Sequence, residues 1–259
     1  MKTQYGEVSA RVDGHVALLE INRPPNNFVS VELMRDLADA LDDIDADTAL
    51  RATVLTAAGK VFCAGADLAS PTGVGGQGMQ GINPLYDQAV RLFSAKKPIV
   101  AAIQGAAIGA GLGLALVADF RVVAPEARFA ANFVKLGFHP GFGITHTLPR
   151  VVGQQKAQLM CLTGRRIKGE EALAWGLADQ MVALGDLRAA ALALAQELAE
   201  AAPLAVVSTR ATLRADLAQA VRSQTDHEQK EQTWLRATND FAEGVKSVFE
   251  RRPSAFTGT

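Results

Sequence analysis

The chain has 259 residues, of which 49% are hydrophobic and 20% charged, as is typical of a globular protein with a large core. Its 26 basic and 27 acidic residues leave a formal net charge of −1, which argues against nucleic-acid binding and against a polybasic membrane anchor. Its two cysteines and four histidines have no metal-ligand spacing, so we expect no metal site. No apolar signal segment begins the sequence and no apolar run is long enough to span a membrane, so we expect a cytoplasmic protein.

Predicted strands and helices alternate in the first half of the chain. Two short β-rich runs, 8–12 and 15–21, flank Asp13-Gly14, which is a strong hairpin signal. Ser30 is a predicted N-cap, and apolar residues follow it at helical spacing. Further strands are predicted at 51–56, 98–103, 120–124 and 127–131, and further helices at 85–94 and 105–118. This alternation favours an α/β layered fold.

The second half is predicted to be mainly helical. Its alanine, leucine and glutamate content and its periodicity indicate helices at 154–162, 169–175, 187–201, 203–219 and 221–235, with one strand at 179–182. A soft boundary near residue 200 separates a core, residues 1–200, from a helical C-terminal region, residues 201–259. Because no Pro/Gly/Ser-rich linker marks this boundary, the helical region is not expected to be an independent domain.

Three glycine-containing segments are candidate ligand sites. Residues 73–78 match G-x-G-x-x-G, but no predicted strand precedes them and no helix follows, so a loop is favoured over a dinucleotide site. Residues 105–113 follow a strand and open a helix. They indicate either close packing of a buried helix or a helix N-terminus that binds a ligand oxygen. Residues 64–66 are small, which allows a ligand close to the backbone or simply a tight turn.

Two of these segments, read together, resemble a known family. Phe-Cys-Ala-Gly-Ala-Asp-Leu at 62–68, followed by the glycine-rich segment that begins Ala-Ala-Ile-Gln-Gly at 101–105, is similar to the enoyl-CoA hydratase/isomerase family, the crotonase superfamily. Further matching motifs occur in order at 22–27, 162–177 and 243–253, so the resemblance runs nearly end to end. It is specific for the superfamily and not for one reaction.

The resemblance implies a crotonase-like spiral of ββα units whose helical C-terminal region builds homotrimers or hexamers. It implies an acyl-CoA thioester as the substrate, with no cofactor apart from the CoA of that substrate. The backbone N–H groups of Ala66 and Ala110 correspond to the family's oxyanion hole, where developing negative charge meets preorganised donors. Ala64 and Leu68 correspond to positions that cradle CoA, and Arg251 to a basic residue that reaches the nucleotide across the trimer.

The usual acid/base positions of the family carry no titratable group in this sequence. The two glutamates of the family's hydratases correspond to Gly113 and Phe133, and the aspartate of some isomerases corresponds to Gly141. We expect Gly113, Phe133 and Asp67 to contact the substrate. Gly113 and Phe133 cannot move a proton, whereas Asp67 is a weak polar candidate for that role. Hydration by the usual pair of carboxylates is therefore not expected.

His139 is the nearest substitute base, because it lies two residues from Gly141 and because the following Pro140 favours an extended backbone. The alternative is a hydrogen-bonded structural histidine. Tyr86 and Asp87 are weaker polar candidates. The resemblance thus implies an acyl-CoA-processing enzyme, nominally an enoyl-CoA hydratase/isomerase acting as a lyase or isomerase, with a non-standard base; a non-catalytic acyl-CoA binder is the alternative. For the enzyme, the reaction could be hydration, isomerisation, thioester hydrolysis or carbon–carbon cleavage.

Overall fold

A seven-stranded sheet carries the N-terminal half of the protein. The structure is a computed structural model that describes residues 1–67 and 82–259, so Leu68 and the predicted loop at 73–78 lie outside the described residues. In spatial order the strands are β1 (Gln4–Tyr5), β2 (Val8–Asp13), β3 (Val16–Ile21), β4 (Ala52–Ala57), β5 (Ile99–Ile103), β7 (Phe120–Val123) and β10 (Gln180–Met181).

The predicted hairpin is confirmed, because β2 and β3 are antiparallel and Asp13 pairs with Val16 around Gly14. From β3 to β10 the neighbouring strands are parallel. Every residue of β4 and β5 is buried, as expected of parallel strands that are covered on both faces. The alternation of strands and helices therefore produces the α/β fold that the sequence predicts.

A second, three-stranded sheet contains β6 (Ala106–Ile108), β8 (Arg128–Ala130) and β9 (Arg166–Lys168). The prediction of one helix over 105–118 is wrong in its first turn, since Ala106–Ile108 pairs with β8 and the helix begins only at Ala110. Strand β9 was not predicted, because it has three residues and depends on its pairing with β8. Such long-range pairing overrides local propensity.

The helices cover both faces of the large sheet and make up most of the C-terminal region. They are α1 (Val31–Ala46), α2 (Ile82–Phe93), α3 (Ala110–Val117), α4 (Ile144–Val152), α5 (Gln154–Thr163), α6 (Gly169–Ala174), α7 (Leu187–Glu200), α8 (Pro203–Leu213), α9 (Leu217–Leu235) and α10 (Asn239–Glu250), with short 3-10 turns at Asn132–Leu136 and Leu184–Asp186. The predicted cap of α1 is confirmed, because the Ser30 hydroxyl accepts a hydrogen bond from Leu33 N at 3.2 Å.

The predicted helix over 203–219 is in fact two helices. Helix α8 ends at Leu213, and α9 begins at Leu217 after Asp216, which has a φ of +60°. The break coincides with a charged cluster that the helical periodicity does not reveal. Across the described residues no single helix is long and apolar enough to cross a membrane. The helical segments 184–200 and 203–213 have the length and apolar composition of a membrane span only when they are counted as one, and they are bent by 105° where they meet.

The charged cluster is centred on Asp119, which lies just before β7. Its carboxylate accepts hydrogen bonds from Ile99 N at 2.8 Å, from Arg210 Nε at 2.9 Å and from Arg214 at 2.8 Å. The three side chains are largely buried, with exposed fractions of 14%, 9% and 15% for Asp119, Arg210 and Arg214. This cluster joins the end of α8 to the edge of the core at β5 and β7.

We expect Asp119→Ala to lower the free energy of unfolding by about 3–5 kcal/mol, because it leaves two buried arginines without their carboxylate. Urea denaturation measures this change. The matched control is Asp87→Ala, which removes the 2.5 Å ion pair with Arg222 at a site where the Asp87 side chain is 50% exposed. That change is expected to cost at most about 1 kcal/mol. Equal losses in the two variants would contradict the anchoring role of Asp119.

Candidate active site

A cavity of about 610 Å³, counting its open mouth, lies at the N-terminal end of α3. A mainly apolar lining with a few polar groups is typical of a small-molecule site. Its wall is formed by the segment after β4, the ends of β6 and α3, the turn at 132–142, α2 and the end of α9. The lining residues are Ala64, Gly65, Ala66, Leu85, Tyr86, Ile108, Gly109, Ala110, Asn132, Phe133, Leu136, Phe138, Gly141, Phe142, Gln232 and Arg236.

The segment 63–66 is held against β6 by backbone hydrogen bonds. Cys63 N donates to Ala106 O at 2.9 Å, and Ile108 N donates to Cys63 O at 3.0 Å. On the other side Val29 N donates to Gly65 O at 2.9 Å. Gly65 has a φ of +94°, and a Cβ on it would lie 2.7 Å from Ile108 O and 3.6 Å from Ala110 N. Only glycine allows the two backbones to approach this closely.

The consequence is that the backbone N–H groups of Ala66 and Ala110 lie at the same cavity. Neither N–H has a hydrogen-bond acceptor within the described ranges 1–67 and 82–259. Ala110 is the first residue of α3, so its N–H has no partner inside the helix and belongs to the positive end of the helix dipole. The two donors that the sequence singled out are thus adjacent and available to a ligand.

Aromatic rings form the opposite wall. Phe133 and Phe138 meet edge to face with their centroids 5.5 Å apart, and Phe138 meets Phe241 of α10 in the same way at 5.3 Å. Phe133, which was matched by sequence to a family glutamate, therefore lines the cavity as an apolar surface. This wall suits an apolar part of a ligand.

Gly113 and Gly141, the other two positions that were matched by sequence to acid/base residues, lie in close contact with side chains from elsewhere in the fold. A Cβ on Gly113 would lie 2.5 Å from the ring of Phe142, and Gly113 does not line the cavity. A Cβ on Gly141 would meet the Tyr86 hydroxyl and would lie 2.6 Å from Gln232 Nε2. Neighbouring side chains therefore pack closely at both positions, where glycine fits without a collision.

Tyr86 and Gln232 form a hydrogen-bonded pair at the cavity. The Tyr86 hydroxyl donates to Gln232 Oε1 at 3.0 Å, and Gln232 Nε2 donates to the backbone oxygen of His139 at 2.9 Å. Burial raises the pKa of Tyr86 far above its usual value, so its hydroxyl is neutral at physiological pH. The Tyr86 hydroxyl is therefore a neutral polar group at the cavity and does not act as a general base.

The ring of His139 is not among the residues that line the cavity. It is partly buried, its Nδ1 donates to Pro140 O at 2.8 Å, and its centroid lies 6.0 Å from that of His227. Its role as a substitute base stays a prediction, and this placement does not support it. In the described part of the chain no cluster of three or more histidine, cysteine or acidic residues is placed to hold a metal ion.

The remaining predicted contacts divide between the cavity and the surface. Ala64 lines the cavity, whereas Asp67 and Arg251 do not. Arg251 is exposed at the C-terminal end of α10, with a φ of +54°. Asp87, one of the weaker polar candidates, pairs with Arg222 at the surface. No acidic residue lines the cavity, and the sequence of residues 68–81, outside the described part, contains none.

Sequence reasoning missed Glu228, a fully buried carboxylate on α9. It accepts hydrogen bonds from Gly143 N at 2.7 Å, from Thr145 N at 3.2 Å and from Thr145 Oγ1 at 2.5 Å. Desolvation outweighs these hydrogen bonds and raises the pKa of Glu228 to about 7. Glu228 thus fixes the N-terminus of α4 immediately beside Phe142, which lines the cavity.

A signal for this arrangement is visible in the sequence. The buried positions of α9 recur every three or four residues, as in any packed helix, but the later ones are polar. A polar stripe on the inner face of a helix indicates a hydrogen-bonded interior, which is expensive to bury unless every group is paired. The buried residues of α9 are Leu217, Val221, Thr225, Glu228 and Gln232, and the last three form the polar stripe.

Comparisons with known proteins show the family of this chain. A family model described as enoyl-CoA hydratase/isomerase matches residues 11–259. A Mycobacterium tuberculosis protein described as a probable enoyl-CoA hydratase is 43% identical over 214 residues, covering 82% of this chain and 83% of that protein. The 1,2-epoxyphenylacetyl-CoA isomerase of Escherichia coli is 33% identical over 257 residues, covering 97% and 98% of the two chains.

A solved structure has the same fold over nearly the whole chain. The enoyl-CoA hydratase/isomerase of Pseudoalteromonas atlantica superposes with a TM-score of 0.85 at 31% identity and covers 97% of this chain and 100% of its own. The protein therefore has the α/β crotonase fold and belongs to the enoyl-CoA hydratase/isomerase family. The family resemblance and the fold class predicted from the sequence are confirmed.

The raised pKa of Glu228 predicts a pH dependence of stability. Between its usual value of 4.5 and about 7 the folded protein retains a proton that the unfolded chain has lost, so stability falls as the pH rises through this interval. The Glu228→Gln variant lacks this contribution. We expect the stability of the wild type relative to Glu228→Gln to fall by on the order of 3 kcal/mol from pH 4.5 to pH 7. Urea denaturation of both proteins across this range measures it, and parallel pH profiles would contradict the assignment.

Proposed function

We propose that this protein binds an acyl-CoA thioester with the thioester oxygen between the N–H groups of Ala66 and Ala110, and that it stabilises an enolate-like intermediate there. The observation that carries the proposal is the presence of two unpaired backbone N–H groups at one cavity. Donors that are already in position are most effective where negative charge develops during the reaction.

The rest of the cavity supports an acyl group at this place. The ring of Phe133 and the side chains of Leu85 and Leu136 give it an apolar lining that suits carbon chains. The backbone of Ala64 at the same cavity supports its predicted contact with CoA. We retain the predicted contacts of Asp67, Leu68 and Arg251 with the CoA moiety as part of the proposal.

The proton chemistry differs from that of a two-glutamate hydratase. A water molecule that attacks an enoyl group needs an acceptor for its proton, and no carboxylate lines this cavity within the described residues. Isomerisation, thioester hydrolysis and carbon–carbon cleavage therefore remain alternatives to hydration. The same observation favours a second candidate function, a non-catalytic acyl-CoA binder that retains the oxyanion hole alone.

We retain the homotrimer or hexamer as the proposed assembly and the cytoplasm as the proposed location. Large apolar side chains of the C-terminal helices support an assembly, because Leu204 and Leu213 of α8 are 85% and 74% exposed and Phe249 of α10 is 78% exposed. Exposed apolar residues of this size mark contact surfaces when they cluster.

Ala110→Pro tests the oxyanion hole. Proline is well tolerated at the first position of a helix, so this change removes the N–H donor and leaves α3 intact. We expect kcat to fall roughly 100- to 1,000-fold on the ester that the wild type turns over fastest in a panel of enoyl- and β-ketoacyl-CoA esters. Ala110→Gly retains the donor and is the matched control. Full turnover by a folded Ala110→Pro protein would refute the assignment, and binding without turnover by the wild type would favour the second candidate.

We expect the wild type to hydrate crotonyl-CoA at least roughly 100-fold more slowly than a two-glutamate member of the family, because a lost acid/base group costs about this factor. Absorbance of the enoyl thioester follows the reaction. If His139 is the substitute base, His139→Ala lowers the remaining activity. Fast hydration that is unchanged in His139→Ala would contradict both expectations.

A further inference from the structure

We propose that the acyl group accepted by this cavity carries a carboxylate at its far end, and that Arg236 binds this carboxylate. The inference rests on the proposed function, since it concerns the same cavity, and it adds the class of acyl-CoA: an ω-carboxyacyl thioester. Arg236 follows the last residue of α9 and lines the cavity together with Ala66 and Ala110.

Arg236 differs from three other arginines that have a buried side-chain nitrogen, because it has no anionic or carbonyl partner among the described residues. Arg51, Arg214 and Arg236 each have a buried Nε without a partner among the described residues, and Arg210 has a buried Nη2 without one. In three of these side chains another nitrogen is bonded, Arg51 to Ala199 O and the other two to Asp119. For Arg236 no side-chain hydrogen bond or ion pair is found anywhere in residues 1–67 and 82–259.

Two aromatic rings hold the Arg236 guanidinium. Its Cζ lies 5.5 Å from the centroid of Phe138 and 5.4 Å from that of Phe241. Such contacts occupy the faces of the planar group and leave its N–H edge for hydrogen bonds. A carboxylate is the ligand that matches this edge, because its two oxygens accept two parallel N–H bonds.

The charge balance of the cavity supports an anion. Arg236 is the one charged residue among the lining residues that the structure describes, and burial lowers its pKa. Glu228 is nearby on α9, but its carboxylate is turned to Gly143 and Thr145 of α4. Arg236 is half-buried and its Nε is fully buried, so this cation has lost part of its hydration without gaining a counter-ion. A bound carboxylate would offset that cost.

The remaining polar groups do not compete for this role. Tyr86 donates its hydroxyl hydrogen to Gln232, and Gln232 donates to the backbone oxygen of His139. Both groups are neutral and already paired. With the thioester oxygen at Ala66 and Ala110, the intervening carbons of the acyl chain would contact Phe133 and Leu136, which line the same cavity.

Isothermal titration calorimetry with four CoA esters tests the proposal. Glutaryl-CoA and adipyl-CoA end in a carboxylate, whereas pentanoyl-CoA and hexanoyl-CoA have the same chain lengths and end in a methyl group. We expect the wild type to bind at least one carboxylate ester roughly 10- to 100-fold more tightly than its methyl counterpart, the range typical of a hydrogen-bonded charged pair.

Three variants assign the preference to Arg236. Arg236→Met keeps an unbranched apolar stem and removes the guanidinium, so we expect the preference to disappear while the methyl esters bind within about twofold of wild type. Arg236→Lys keeps the charge and is expected to retain part of the preference. Lys230→Met removes a positive charge from an exposed position on the same helix and is expected to leave the preference unchanged. Circular dichroism verifies that each variant is folded.

The outcomes separate this inference from the proposed function. If the methyl esters bind as tightly as the carboxylate esters, or if Arg236→Met keeps the preference, the carboxylate site is refuted while the acyl-CoA function stands. If Arg236→Met weakens free CoA and all four esters equally, Arg236 contacts the CoA moiety and the proposal is wrong. If none of the esters binds to the wild type, the proposed function fails as well.

Discussion

The close approach of two backbone segments is the constraint on which this cavity depends. The segment 63–66 is bonded on one side to β6 and on the other to Val29, and Gly65 has the conformation and the lack of a side chain that this contact requires. Because both segments are held by backbone hydrogen bonds, the positions of the Ala66 and Ala110 N–H groups do not depend on any side chain. The same donors can therefore serve different reactions when the surrounding side chains change.

The side chains around these two segments determine the character of the cavity. Phe142 covers Gly113, the Tyr86–Gln232 pair covers Gly141, and the ring of Phe133 gives the cavity an apolar surface. Among the described residues the lining thus combines aromatic rings, a neutral hydroxyl and a single cation. Glu228 retains a carboxylate close by, but it is used to hold α4 in place.

Local signals in the sequence predicted the elements that are determined locally. Asp13-Gly14 predicted the hairpin, and Ser30 predicted the start of α1. The errors occur where distant partners decide the structure. Residues 106–108 are a strand because Cys63 and β8 pair with them, and α8 ends where Arg214 turns to Asp119. Motif matching placed Ala66 and Ala110 at the cavity, but it could not reveal Tyr86, Gln232 and Arg236 together, since these come from α2 and the end of α9.

The contact between Gly113 and Phe142 also constrains how this site can evolve. A glutamate introduced at 113 alone would collide with the ring, and Phe142 has a φ of +64° in a turn that is fixed by its neighbours. Overpacking of this kind is itself destabilising. A smaller residue at 142 must therefore come first, so the order of the two substitutions matters and neither shows its effect independently of the other. A carboxylate at 113 is thus accessible to this chain only through a coupled change at 142, which is an epistatic constraint on the cavity.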